Sequence, residues 1–334
     1  MSTASRPRVF VSRRLFPETL DLIAQHAEMQ VFEGTGNPTP EQLLEGTRGC
    51  AGLLAQGTDR IDAAFLDEVP DLRVVCNVAV GYNNIDVAAA RERKVVVTNT
   101  PDVLDEACAA LTWGLILGVT RRLGEGERLL RAGRWKGFQL DFLLGMDLVG
   151  KTLGVIGMGR IGQAVAAKAA AFGMRTVYLK SPRRASEDIV GPDGVAYPAV
   201  SFEELLAQSD VVTLHVPLSP ETRHLINRDT IRLMKPTAYL VNMARGPVVE
   251  EAAVVEALEN GWIAGAALDV YELEPVVHPG LLAFENALLM PHLGSATRET
   301  RTAMCNLAAR NLLEVLAGRP PVTPVAGSYV PGIG

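Results

Sequence analysis

An apolar run, Leu153-Gly154-Val155-Ile156, passes through Gly157, Gly159 and Gly162 into an alanine-rich segment ending near Phe172. Few folds accommodate that order. A glycine at 157 permits a tight turn off a strand. A glycine at 159 lets backbone N–H groups approach a bound anion, and a glycine at 162 lets the next helix lie against the strand it left. The helix N-terminus adds partial positive charge at the same place. Glycines at this spacing also serve ordinary turns. Here a strand pattern precedes, a helical pattern follows, and another strand pattern begins at Thr176. The segment is read as a pyrophosphate loop, with Gly157, Gly159, Arg160, Ile161 and Gly162 against the dinucleotide.

From Thr152 onward, strand patterns recur at 153–156, 176–179, 211–214, 238–242, 265–269 and 287–290, most of them separated by helical patterns. Six strands with intervening helices suit a doubly wound nucleotide domain. The first hundred residues carry shorter apolar runs at 9–11, 52–55, 74–78 and 95–98, with helical spacing at 17–27 and 62–68. These predict a smaller α/β sheet with parallel strands. A long helix is predicted over 102–123. The polar, glycine-spaced stretch 124–147 follows, which periodicity does not place. Its Trp135, Phe138 and Phe142 mark a candidate interface. Residues 298–317 read as a last helix, which cannot add a strand to the second sheet and is expected to return to the first domain. The 334 residues exceed one ordinary domain. The predicted fold is α/β, with two Rossmann-like doubly wound domains and a cleft between them. The substrate-binding domain is discontinuous, 1–100 with 291–334, and 101–290 form the dinucleotide-binding domain. Pro101 and Pro291 suit the crossings, because proline holds its predecessor extended.

With 48% hydrophobic and 21% charged residues the chain is globular in composition. Its formal net charge of −6 gives no general attraction to nucleic acid or to an anionic membrane. A bound phosphate therefore needs a local basic pocket. An acid that takes a ribose 2′-OH is expected about 20 residues beyond the glycine loop. Lys180, Ser181, Arg183 and Arg184 stand there instead, and no acid occurs before Glu187. A solvated basic loop is the plain alternative. Placement at the ribose end of the strand favours a 2′-phosphate, so NADP(H) is the preferred cofactor, with NAD(H) use left open. Cys50, Cys76, Cys108 and Cys305 are far apart, so neither a disulfide framework nor a zinc site is signalled and no metal is expected. Residues 1–7 are short and polar, and the nearly apolar run 107–119 is too short to span a bilayer. The expected location is cytoplasmic.

Arg245, Glu274 and His292 each follow a predicted strand, where open α/β sheets bind ligands. Singly, each has a bland reading as a surface or structural residue. Together their surroundings resemble a known pattern: Asn242-Met243-Ala244-Arg245-Gly246, Ala267-Leu268-Asp269-Val270-Tyr271-Glu272-Leu273-Glu274-Pro275 and Pro291-His292-Leu293-Gly294. So do the glycine loop, the segment from Leu214 to Thr222 and the segment from Val78 to Asp86. The chain resembles the D-isomer-specific 2-hydroxyacid dehydrogenase family over 53–317, and within it most resembles glyoxylate/hydroxypyruvate reductases. The basic segment after Leu179 and Pro101-Asp102-Val103-Leu104 support that placement.

The resemblance implies reduction of a small 2-oxo acid to the D-2-hydroxy acid in a homodimer, with residues 135–142 in the dimer arm. It implies that Arg245 holds the substrate carboxylate and polarises the carbonyl, aided by backbone N–H groups of Val80 and Gly81. His292 would be the general acid. Glu274 would orient it and favour its protonated form, and Asp269 would support the nicotinamide. Thr112, His215, Pro217, Thr222, Met243, Ala244, Asp269 and Gly294 join the loop residues and Lys180 to Arg184 around the cofactor. Alternatives remain. A 2-ketogluconate-type sugar-acid reductase or a phosphite dehydrogenase would keep the same triad. D-3-phosphoglycerate dehydrogenase usually takes NAD, and formate dehydrogenase carries Gln where His292 stands. A corepressor of the C-terminal-binding-protein type would sense NAD(H) and bind peptides without turnover; fold alone does not separate it.

Overall fold

The computed structural model describes residues 6–180, 189–191 and 194–331. The chain divides into two compact units, Met1–Leu104 with Thr297–Gly334, and Asp105–Ala296.

The first unit holds β1 (Arg8–Val11), β2 (Glu28–Val31), β3 (Gly52–Ala55), β4 (Val74–Asn77) and β5 (Val96–Thr98), all parallel in the order β2-β1-β3-β4-β5. Central strands β3 and β4 are buried at every residue. Helices cover both faces of such a sheet, so their sequences read as unbroken apolar runs. Edge strand β2 is half exposed and carries Glu28 and Gln30, and no apolar run announces it. Between strands lie α1 (Pro17–Ala24), α2 (Pro40–Thr47), α3 (Ala63–Asp67) and α4 (Val87–Glu92). Side-chain caps from Thr39, Asp62 and Asp86 start the last three. The C-terminal helix, Arg298–Leu316, packs on α1, β3 and β4 of this same unit.

The second unit begins with α5 (Asp105–Thr120), buried on most sides. The predicted helix over 102–123 ends sooner than its composition suggests. Arg122 sits at φ +53°, which a right-handed helix does not continue through. Met146 N–H meets the Thr120 carbonyl at 2.9 Å. A separate charged helix, α6 (Leu123–Arg131), follows, and residues 132–149 form no further helix or strand.

Seven parallel strands make the second sheet: β6 (Thr152–Ile156), β7 (Arg175–Leu179), β8 (Ala199–Val200), β9 (Val211–Leu214), β10 (Tyr239–Asn242), β11 (Gly265–Leu268) and β12 (Ala287–Leu289). Their order is β12-β11-β10-β9-β6-β7-β8. β8, only two residues long, is the strand without a sequence signal. The remaining helices are α7 (Arg160–Ala169), α8 (Phe202–Gln208), α9 (Arg228–Ile231) and α10 (Glu251–Glu259). One core is built on Leu205, Leu214, Ile226 and Leu240, the other on Trp113, Ile116, Leu153 and Val165. The order reverses between β6 and β9, which places a ligand crevice beyond their C-terminal ends. No described helix is long and apolar enough to cross a membrane.

Candidate active site

At that reversal, Gly157 leaves β6 with φ +101°. A Cβ there would lie 2.6 Å from the His215 carbonyl carbon and the Val216 nitrogen. A Cβ on Gly162 would lie 2.1 Å from the Gly157 oxygen. Both glycines are demanded by the chain itself. Gly159 is not: a Cβ there would meet nothing within 4 Å. That open space fronts the start of α7, whose N-cap is Gly159 and has no side-chain cap. Uncapped N–H groups beside free space fit a pyrophosphate. The residues present thus suit a dinucleotide.

Around this loop, Ile161 packs against the core and the Arg160 guanidinium lies 3.4 Å from Asp105. Thr112 is buried, its hydroxyl donated to the Cys108 carbonyl at 2.7 Å. The His215 Nε2 is 2.9 Å from the Thr213 hydroxyl. Burial pushes the imidazole pKa down to about 3, so His215 is neutral and brings no counter-charge. Thr222 closes the turn after Pro217, donating to its carbonyl at 2.7 Å. Lys180 is exposed just past β7. Ser181, Arg183 and Arg184 lie outside the described residues.

Arg245 follows β10, Asp269 follows β11 and His292 follows β12, so parallel pairing brings all three to one edge. Asn242 shapes the first loop: its carboxamide accepts from Ala244 N–H at 3.1 Å and donates to the Arg245 carbonyl at 3.2 Å. Met243 is partly buried beside the core. Gly246 then passes so close to the next loop that a Cβ would fall 1.8 Å from the Tyr271 carbonyl carbon. Arg245 is partly buried, its guanidinium donating to the Ala244 carbonyl at 2.7 Å. Burial lowers its pKa while the Glu274 charge opposes the shift, and a guanidinium remains a cation at neutral pH.

His292 Nδ1 stands 2.9 Å from Glu274 Oε2, and the other carboxylate oxygen accepts from Tyr271 N–H at 3.1 Å. Burial alone would raise the Glu274 pKa. The hydrogen bond and charge of His292, the Tyr271 amide and the Arg245 charge outweigh it and hold the carboxyl below its ordinary value. His292 itself is at φ +54°, a conformation costing about 1–3 kcal/mol for a residue with a Cβ. Asp269 fixes it there. Its carbonyl accepts from His292 N–H at 2.9 Å, and its carboxylate accepts from Leu293 and Gly294 N–H at 2.6 and 2.8 Å. Burial raises the Asp269 pKa against those amides. Gly294 is hemmed in by Cys108, Asp269 and Met243. The Cys108 thiol, pushed up to about 12 by burial and then by Asp105 and Asp269, stays protonated.

In the first unit the loop after β4 is tied down by its carbonyls. Thr100 N–H donates to Ala79 O at 2.9 Å, the Asn99 amide to Val80 O at 2.7 Å, and the Asn77 amide to Gly81 O at 2.8 Å. A trans peptide sets its N–H opposite its carbonyl. Anchoring these oxygens therefore turns the Val80, Gly81 and Tyr82 N–H groups away from their anchors.

Asn77 and Asn99 are contributors outside the quoted motifs, and Asn242 and Tyr271 (its hydroxyl donates to Met290 O at 2.9 Å) stand inside them with no role assigned from sequence. Asparagine at the end of a strand is the available signal, because it is depleted in strands and binds local backbone.

The sequence profile of the D-isomer specific 2-hydroxyacid dehydrogenase NAD binding domain matches residues 113–294. The chain is 47% identical over 322 residues to a glyoxylate reductase of Aeropyrum pernix, covering 95% of each chain. A Thermus thermophilus crystal structure superposes with TM-score 0.87 at 46% identity, covering 96% of this chain and 100% of the other. An NADPH-dependent glyoxylate/hydroxypyruvate reductase from Sinorhizobium meliloti, solved with NADP and malonate, gives TM-score 0.85 at 35% identity, covering 98% of each.

Proposed function

The chain belongs to the D-isomer-specific 2-hydroxyacid dehydrogenase family, an oxidoreductase family, and on that premise we propose that it reduces glyoxylate and hydroxypyruvate at the expense of NADPH. The carrying observation is a histidine held 2.9 Å from a carboxylate that also feels the charge of a partly buried guanidinium, at the ligand edge of a dinucleotide sheet. Relatives across nearly the whole chain named glyoxylate reductase support the substrate class.

The reduced nicotinamide, when bound, supplies a hydride. Arg245 presents a fixed cationic fork that matches a carboxylate and withdraws charge from the neighbouring carbonyl. The outward amides of Val80, Gly81 and Tyr82 suit a carboxylate in the same way. His292 delivers the proton to the alkoxide oxygen formed at C2, and its half-exposed ring can be reprotonated from solvent. Glu274, held ionised by the groups around it, keeps a negative charge against the ring and fixes its orientation. Asp269 holds the backbone at 292–294. Gly157, Gly159, Gly162 and the start of α7 take the pyrophosphate.

Preference for NADPH rests on Lys180 and the basic residues that follow it in sequence. The S. meliloti relative, solved with NADP, supports the same reading. Residues 123–149 expose Leu130, Trp135, Phe138 and Leu140, the last two by 84% and 86%. So much apolar surface in one stretch supports the homodimer arm. Four unpaired thiols are in keeping with the reducing cytoplasm.

Initial rates of NADPH and NADH oxidation with glyoxylate, hydroxypyruvate and 2-ketogluconate, run in parallel, test the proposal. Turnover of the two small acids, faster with NADPH, is the expected result. Turnover of the sugar acid alone would move the substrate. Tight cofactor binding without turnover of any 2-oxo acid would reject the activity.

A further inference from the structure

A second histidine–glutamate pair lies in the same unit. His224 Nε2 is 2.6 Å from Glu272 Oε1, and His224, like His292, has a left-handed backbone, φ +48°. The other Glu272 oxygen accepts from Glu251 N–H at 3.1 Å. Glu251, only 4% exposed, answers with both of its own oxygens, accepting from the Glu272 and His278 amides. The two glutamates thus interlock, each holding the other's backbone.

What they join is informative. Glu251 opens α10, just beyond the Arg245 loop. Glu272 lies two positions before Glu274. His224 ends the turn that runs from Pro220. Tyr271 and Val277 pack on the core at either end of the segment carrying Glu274, but between them Leu273 is 75% and Val276 62% exposed. Polar anchors on either side help to set the segment's place; of the interlocked glutamates Glu251 is buried and the Glu272 side chain is 25% exposed. Gly246 closes the gap between the two loops, with no room for a side chain.

We propose that Glu251 and Glu272, braced by His224, are positioning residues that hold the 270–278 loop so that Glu274 meets both His292 and Arg245. The catalytic consequence rests on the function proposed above. The geometric one does not.

Glu251→Gln sets an amide NH2 against one of the two N–H groups and releases that side of the loop. The expected result is a fall in kcat of about 10²-fold, as for a misplaced catalytic group, with the NADPH KM changed by no more than about twofold. The groups facing Glu274 are His292, Arg245, Asp269 and the Tyr271 amide. Once separated from His292 and Arg245, its carboxyl titrates at higher pH, where burial pushes it. The acid limb of kcat/KM then moves up in pH. Glu272→Ala has the same effects. Glu272→Gln keeps an acceptor for Glu251 N–H and restores parent kcat. A ¹³C NMR titration of the Glu274 carboxyl, assigned by its loss in Glu274→Gln, reads the same upward movement in the unliganded protein.

Folded Glu251→Gln and Glu272→Ala proteins with the parent's kcat and the parent's Glu274 titration would overturn the proposal, whatever their melting temperatures. Should Glu251→Gln not fold, Glu272→Ala decides. A parent protein inactive on 2-oxo acids would fault the proposed activity alone, and the titration would still judge the positioning role.

Discussion

At position 292 the backbone takes a conformation that glycine would adopt more easily. It persists because Asp269 accepts three consecutive amides around it, so the cost is offset by bonds that also aim the ring at Glu274. Replacing the ring while keeping a hydrogen-bonding side chain separates geometry from proton transfer. His292→Gln is expected to lower kcat by about 10²–10⁴-fold, the range for a lost general acid, with cofactor affinity measured by fluorescence titration unchanged. Near-parent turnover would remove His292 from the mechanism. Gly246 makes a different demand. A methyl group at 246 would collide with backbone atoms of Tyr271 and Glu272, which cannot yield as a side chain can. Gly246→Ala should destabilise the protein by at least about 3 kcal/mol, the upper end for overpacking, and displace Arg245 from Glu274. Denaturant unfolding and the substrate KM measure the two effects, and a variant with parent stability and KM would show that the loops part without cost.

The elements legible in sequence are those whose burial dictates composition. β3, β4, β6, β9 and β10 are buried at every residue, and each is an apolar run in the chain. β2 alternates exposed and half-exposed residues, and β8 is too short to carry a period. α6 is short and charged and has no buried residue; its apolar face, with Leu123 and Leu130, is exposed, so burial does not enrich it enough to stand out from the charges around it. The end of α5 is hidden for a local reason, the left-handed Arg122, which no composition signals. The strand-end loops follow the same logic. Lys180 is exposed at the end of β7, and in the function proposed above its charge meets the cofactor's 2′-phosphate. Lys180→Ala is expected to raise the KM for NADPH by about 10- to 10²-fold, one charge-assisted hydrogen bond being worth about 1.5–3 kcal/mol, and to leave that for NADH nearly unchanged. Equal weakening of both would reject the phosphate pocket.

On the scale of the whole molecule, the stretch 123–149 carries a run of exposed apolar side chains, Leu123, Leu130, Trp135, Phe138, Leu140 and Leu144 among them. Its exposed Phe138 and Leu140 gain nothing from an isolated chain, and burying each in a partner would contribute about 1.5–3 kcal/mol. A Phe138→Asp, Leu140→Asp double variant should therefore shift the protein from dimer to monomer in sedimentation velocity. A parent that sediments as a monomer would refute the arm. The glycine loop is legible in one dimension because turn geometry dictates its residue types, and Arg245, Glu274 and His292 are legible through the resemblance of their surroundings to a family pattern. Their meeting is not. Only parallel pairing of β10, β11 and β12 sets Arg245, Asp269 and His292 on one edge, and only the folded loops reveal that Asn242 shapes the arginine turn or that Glu251 and Glu272 grip each other. A staple of that kind is a relation between distant backbone groups, and no single residue type has to appear in sequence for it to form.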